Sequence, residues 1–163
     1  MHILIKKKIL LFNNYRIKCA VGKRGIGVKK KEGDLITPKG IFGIKYVLYR
    51  KDRVKNLKTS IKKISITKKM GWCNDSKSRK YNHLIKIPSK YNFEKLYRKN
   101  NVYDVVIVLN YNMKPVKKNK GSAIFIHIVN KKYQYTEGCV AIKKIELIKI
   151  LKNLKKISKV VII

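Results

Sequence analysis

Ala123-Ile124-Phe125-Ile126-His127-Ile128 and Tyr135-Thr136-Glu137-Gly138-Cys139-Val140-Ala141-Ile142, whose cysteine lies twelve residues beyond that histidine, are the stretches on which the reading of this chain turns. The first is an apolar run that carries an imidazole; the second places a thiol directly after a glycine. A thiol becomes a strong nucleophile when an imidazole takes its proton. Gly138 has no side chain, which leaves space for a substrate carbonyl beside the N–H groups of Gly138 and Cys139, the candidate oxyanion donors. Acyl transfer through a thioester is the chemistry this pairing allows. Taken singly, His127 reads as a satisfied strand histidine and Cys139 as a buried, inert thiol.

Outward from these stretches the elements are short and mostly extended. Ile3 to Phe12 and Tyr15 to Val21 read as a hairpin, because Asn13-Asn14 tolerates the positive φ of a tight turn. Gly22 to Gly33 is a basic loop punctuated by glycines. Its Gly-Ile-Gly lacks the Lys-Ser/Thr and following helix of a phosphate cradle, so a bend or a close backbone approach is expected instead. Thr37-Pro38-Lys39-Gly40 is a turn that leads into a strand over Ile41 to Tyr49. Ile61, Ile64 and Ile66 mark another extended segment. Gly71-Trp72-Cys73-Asn74-Asp75 and Tyr81-Asn82 read as a polar, aromatic loop. His83 to Ile87 and Tyr103 to Leu109 are further strands, the second a continuous apolar run suited to a central position. Two helices are expected, a short one over Phe93 to Arg98 and an amphipathic one over Lys143 to Leu154 with Ile145, Leu147, Ile148, Leu151 and Leu154 on one face. Val160 to Ile163 closes the chain as a strand. The result is a mainly β fold with one or two short helices, and residues 1–163 form one domain with no linker or repeat.

Composition constrains less. Lys and Arg number 42 against 8 Asp and Glu, a formal charge of +34 over 163 residues. Such an excess attracts anionic polymers in a salt-dependent way. Lysine is nevertheless scattered through every segment and only six arginines occur, whereas a nucleic-acid binder favours arginine and interleaves aromatics in a basic stripe. The bias matches an A+T-rich coding sequence, and no specific nucleic-acid partner is expected. Cys19, Cys73 and Cys139 are odd in number and widely spaced, so a disulfide framework is not indicated, and Cys19 reads as a small core residue. Cys73, His83, His127 and Cys139 match no zinc-ligand spacing. No metal or organic cofactor is required, since thiol and imidazole supply both nucleophile and proton transfer. No apolar run approaches the roughly 18 residues of a spanning helix, and Ile9-Leu10-Leu11-Phe12 falls short of the roughly 7–15 residues of a signal-peptide core.

Several motifs in order carry a further message. Glu32-Gly33-Asp34 and Thr37-Pro38-Lys39-Gly40 come first, then Tyr49-Arg50 and Asp52-Arg53, Gly71-Trp72-Cys73-Asn74-Asp75, Tyr81-Asn82 and Tyr103-Asp104. Gly121-Ser122-Ala123-Ile124-Phe125-Ile126-His127 and Thr136-Glu137-Gly138-Cys139-Val140-Ala141 complete the series. Over residues 15 to 163 the chain resembles the YkuD-type L,D-transpeptidase catalytic domain, and more narrowly its compact single-domain branch common in Gram-negative bacteria. The resemblance implies a β-sandwich or barrel with few helices. It also implies Cys139 as nucleophile, His127 as general base and later acid, and Thr136 as the hydroxyl position before the glycine. The implied substrates are peptidoglycan tetrapeptide stems and an acceptor amine, used for cross-linking or attachment, with a site of action in the periplasm or cell envelope. Many family members carry an arginine shortly after the cysteine. Here Val140-Ala141-Ile142 stands instead, and the cation for a substrate carboxylate is left open among Arg24, Arg50, Arg53 and the lysines.

Six of the eight acids, Glu32, Asp34, Asp52, Asp75, Asp104 and Glu137, fall within the motif stretches. They are expected to bond loop N–H groups or pair with arginines rather than to meet substrate ammonium groups. Trp72 and Tyr81 either line the cleft or pack against the sheet. Beside transfer, two other uses of this chain are open. One is hydrolysis by the same Cys–His pair, as a carboxypeptidase or a cross-link or anchor-cleaving peptidase; the other is a non-catalytic basic module that binds polyanions.

Overall fold

The computed structural model of the protein describes residues 2–130 and 132–163. From the N-terminus, β1 (Ile3–Lys6), β2 (Ile9–Phe12) and β3 (Tyr15–Lys18) form an antiparallel meander. The expected Ile3–Phe12 strand is therefore two strands. Lys7 takes φ 55° and turns the chain, which lets Ile3 and Ile5 face inward together with Leu10 and Phe12. Asn13, at φ 52°, makes the second turn as its side-chain type suggests. Regular pairing stops at Lys18, short of the expected Val21.

The glycine-punctuated loop and the Thr-Pro turn contain two short strands paired in parallel, β4 (Ile26–Gly27) and β5 (Thr37–Pro38). They are followed by β6 (Gly40–Tyr49), β7 (Lys63–Ser65), β8 (Met70–Cys73), β9 (Leu84–Lys86), β10 (Phe93–Lys95), β11 (Val105–Leu109), β12 (Phe125–Ile128) and β13 (Val140–Ile142). The helix α1 (Lys144–Asn153) and β14 (Lys159–Ile162) end the chain. The large sheet runs β13-β12-β11-β6-β14-β1-β2-β3, with β7 paired to β6. Ala20, two residues past β3, exchanges both backbone hydrogen bonds with Ala141 of β13, at 2.8 and 2.9 Å, and nearly closes the sheet into a barrel. A second sheet of β10-β8-β9 lies against one outer flank.

Strand parity divides the apolar residues between two cores. Val105, Ile107 and Leu109 point into the barrel, where they meet Ile124, Ile126, Ile128, Val140, Ile142 and the N-terminal strands. Val106 and Val108 point outward, onto Trp72, Leu96, Tyr103 and Phe125 beneath the small sheet. Burial on both faces is why β11 reads as an unbroken apolar run. In β6, Phe42 and Ile44 face the barrel, but so do Val47 and Tyr49. The register shift opposite Val108 and Leu109 inserts the one residue that this change of parity requires.

The structure corrects three further expectations. Phe93 to Arg98 is not helical. Its Phe93, Leu96 and Tyr97 follow a helical spacing, yet Phe93, Glu94 and Lys95 pair with Cys73, Trp72 and Gly71 of β8. Gly71 to Cys73 is likewise no polar loop, because Trp72 and Cys73 are fully buried in a strand. Tyr81 is also buried. On α1, Leu147, Ile150 and Leu151 are buried while Ile145 is 75% exposed, so the apolar stripe is narrower than the expected face. Cys19 and Cys73 are free and buried, which agrees with a core role for Cys19. Among the described residues no helix is long and apolar enough to cross a membrane.

Candidate functional site

β12 and β13 are parallel neighbours in which Ile126 stands opposite Val140 and His127 opposite Ala141. Cys139 precedes β13 by one residue and so lies level with Phe125, on the face that Phe125 and His127 share. The two stretches with which the sequence reading began are thus brought side by side. Phe125 N–H donates to Cys139 Sγ at 3.4 Å, and the thiol donates to the Ala123 carbonyl at 3.0 Å. His127 and Cys139 line one cavity of about 560 Å³, together with Thr136, Glu137 and Gly138.

Each group is held by contacts that reach far along the chain. The segment after β3 clamps the loop that carries Cys139: Thr136 N–H donates to Val21 O and Lys23 N–H to Thr136 O, both at 3.0 Å. Thr136 Oγ1 donates to Cys139 O at 2.6 Å and accepts from Gly138 N–H at 3.2 Å. The buried Thr37 hydroxyl also donates to Cys139 O, at 3.3 Å. Gly138 adopts φ 142°, and a Cβ there would stand 2.9 Å from Ile36 O, so this position requires glycine on both counts. Gly138 N–H is engaged by Thr136, whereas the Cys139 N–H has no partner among the described residues.

The His127 Nδ1 lies 2.9 Å from Ile128 O. A carbonyl only accepts, so Nδ1 carries the proton and Nε2 is left basic. Tyr103 packs its ring edge-to-face against both His127 and Phe125. Its hydroxyl donates to Glu94 Oε1 at 2.6 Å, and Arg98 reaches the same oxygen at 2.6 Å. Burial, followed by Arg98, pulls the imidazole down to about 4 against the opposing Ile128 carbonyl. Burial and then Glu94 push the Cys139 thiol up to about 12, which Phe125 N–H and Lys29 oppose. The resting pair is therefore neutral thiol and neutral imidazole, suited to proton transfer during attack rather than to a preformed ion pair.

Other residues of the site stood in the motif stretches, but the sequence did not show their partners. Asn82, at φ 60°, accepts from Trp72 Nε1 and from Ala123 N–H at 3.1 and 3.0 Å, and donates to Tyr111 O and Asn112 O. It fixes Ala123, itself at φ 53°, whose carbonyl accepts the hydrogen bond of the thiol. The Tyr81-Asn82 pair was singled out by sequence, but its task is visible only here. Glu32 accepts from the Tyr81 hydroxyl and from Ser122 Oγ. Asp34 accepts from Lys30, Lys31 and Ile36 N–H groups and from Lys29. Asp52 pairs with Arg50, Asp104 with Arg53 and Lys144, and Asp75 bonds Lys77 and Asn92 N–H groups. The acids thus serve loop geometry, except Glu137, which is exposed on the rim of the cavity.

Of the cations left open, Arg50 is buried, bonds Asp52 and Arg98 O, and stacks on Tyr97. Arg53 holds Asp104 and the carbonyls of Lys99 and Asn100. Both arginines shape the loop that delivers Arg98 and Tyr103, and neither lines the cavity. Arg98 and Lys29 do.

No curated protein sequence matches the chain. Residues 5–162 match the family model YkuD, described as the L,D-transpeptidase catalytic domain. With nearly the whole chain inside that match, on a near-closed β-barrel flanked by a small sheet, this protein belongs to the YkuD L,D-transpeptidase catalytic domain family.

Proposed function

We propose that the protein is a cysteine L,D-transpeptidase that acts on peptidoglycan tetrapeptide stems in the cell envelope. The observation that carries this reading is the placement of Cys139 and His127 on the same face of two adjacent parallel strands, in one cavity, within a family of peptidoglycan-modifying enzymes.

In the first half-reaction the thiol turns from Ala123 O to His127 Nε2, which takes the proton as sulfur attacks the carbonyl of the third, L-centre residue. Negative charge develops on the carbonyl oxygen. Cys139 N–H stabilises it, joined by Gly138 N–H once that group leaves Thr136 Oγ1. Protonated His127 gives its proton to the departing amine, the terminal D-amino acid leaves, and a thioester remains on Cys139. In the second half-reaction an acceptor amine attacks the thioester, His127 takes its proton, and the thiol is restored. Arg98, one-third exposed in the cavity wall, is the cation that meets the stem's terminal carboxylate.

Intact-protein mass spectrometry on enzyme mixed with a tetrapeptide donor tests the proposal. The expected result is a donor-dependent mass gain with release of the terminal D-amino acid, both absent in Cys139→Ala. Adding an amine then separates transfer from hydrolysis: a new amide product supports transfer, and free tripeptide stem alone makes the enzyme a carboxypeptidase. No adduct and no release from folded protein, with several stems, overturns the enzyme reading in favour of a binding module.

A further inference from the structure

Beneath the nucleophile loop lies a buried charge that the mechanism above does not use. The Lys29 side chain is 2% exposed, and its Nζ donates to Asp34 Oδ1 at 2.6 Å and to Ile36 O at 3.3 Å. Two glycines make its path. A Cβ on Gly121 would stand 2.4 Å from Lys29 Cε, and one on Gly138 would stand 3.4 Å from Nζ. The ammonium therefore ends under the residue that precedes Cys139 and lines the same cavity. Its third hydrogen has no protein acceptor among the described residues. Taking two charges out of water is costly before Coulomb attraction offsets it, and well-packed apolar side chains often serve stability as well as a buried pair. The charge itself is the feature that needs a reason.

The charged and titratable groups that line the cavity with Cys139 come from several elements. Lys29 and Glu32 come from the loop between β4 and β5, His127 is on β12, Glu94 and Arg98 come from β10 and its continuation, Tyr103 from the turn before β11, and Tyr135 and Glu137 from the loop of Cys139 itself. Arg98 and the Tyr103 hydroxyl engage Glu94. Apart from Arg98, so engaged, Lys29 is the positive charge on this list. It opposes the rise that burial, Glu94 and Glu137 impose on the thiol.

We propose that the Lys29–Asp34 pair tunes the reactivity of Cys139, the ammonium favouring the anionic sulfur and the carboxylate limiting how much of that charge the sulfur feels. The proposal rests on Cys139 being the reacting thiol. Lys29 acts through its field on the sulfur and is a positioning residue; it exchanges no proton with substrate.

The pH dependence of alkylation by iodoacetamide at Cys139 tests this, read by peptide mass spectrometry so that buried Cys19 and Cys73 are scored separately. In Lys29→Met the three N–H donors of Lys30, Lys31 and Ile36 still hold Asp34 ionised, so a neutral pair becomes a net negative charge. The expected result is a profile shifted up by about one pH unit, with alkylation about tenfold slower at any pH below the midpoint. Asp34→Asn leaves Lys29 unopposed and shifts the profile down by about the same amount. Both variants lose the ion pair, so loosening of the loop moves both the same way, whereas a charge effect moves their midpoints in opposite directions. Midpoints that shift together, or not at all, overturn the proposal. If circular dichroism shows that Lys29→Met does not fold, Asp34→Asn decides alone: a lowered midpoint supports tuning, and an unchanged or raised one overturns it. Alkylation needs no stem peptide, so failure of the transpeptidase reading leaves this result interpretable.

Discussion

The two faces of β12 and β13 share a backbone and divide the work. Toward the barrel they present Ile124, Ile126, Ile128, Val140 and Ile142, all buried among aliphatic neighbours. Toward the small sheet they present Phe125, His127, Cys139 and Ala141, with Trp72, Tyr103 and a Glu94–Arg98 pair packed nearby. The inward face gains stability from dispersion and dehydration and contains nothing that titrates. The outward face is nearly as dry, yet it holds a thiol and an imidazole. Burial there suppresses both charges instead of adding stability, and the barrel face supplies the stability that tolerates this arrangement.

Substitutions on the two faces are expected to separate function from stability. The largest effect is on the outward face. Cys139→Ala removes donor-dependent acylation altogether while the denaturant midpoint stays within about 1 kcal/mol of the parent; a large loss of stability with retained D-amino-acid release would break the division. On the inward face, Ile126→Ala is expected to cost about 2–5 kcal/mol in urea unfolding, because the cavity it leaves lies among β-branched neighbours that cannot collapse into it. Turnover per folded molecule should persist, and a comparable loss of turnover would mean that the faces are mechanically coupled.

A third expectation concerns pH. Folding holds His127 neutral, with its pKa lowered from 6.5 to about 4. Below about 6.5 the unfolded chain takes up a proton that the folded site refuses, so this contribution is complete above 6.5 and lost as pH falls toward 4. It amounts to about 3 kcal/mol across that window. Unfolding free energies of the parent and His127→Asn, compared at pH 7 and pH 4.5, should differ in slope by this histidine; equal slopes would show that the site admits the imidazolium. The smallest effect is at Thr136→Val, which removes the hydroxyl that donates to Cys139 O and accepts from Gly138 N–H. It should cost about 1 kcal/mol of stability, with a several-fold drop in the acylation rate in single-turnover kinetics. An unchanged rate would show that the loop keeps its shape through Val21 and Thr37 alone.

The pattern of Cys139 and His127 was legible because a thiol and an imidazole are recognisable side chains and their strands carry recognisable apolar runs. The mainly β fold was legible for the second reason, as were α1 and the central strand β11. Phe93 to Lys95 was misread because its spacing suits a helix, and only pairing with β8 decides otherwise. The polar look of Gly71 to Asp75 hid Trp72, whose indole N–H is satisfied by Asn82 in a buried setting that sequence does not display. Asn82 and Lys29 were unreadable for a related reason. One lysine among so many, and one asparagine in a loop, acquire meaning from what stands across from them.

By itself the sequence determined that a thiol and an imidazole are on hand in strand-forming runs, and it determined the alternation that builds its strands, since both reside in side-chain type and local period. Tertiary structure alone decided that residue 139 lies level with residue 125, that the segment after β3 grips Thr136, and that Lys29 threads between two glycines to end beneath Gly138. These are contacts between distant parts of the chain, fixed by sheet register and by the space two cores leave, and no local pattern encodes them.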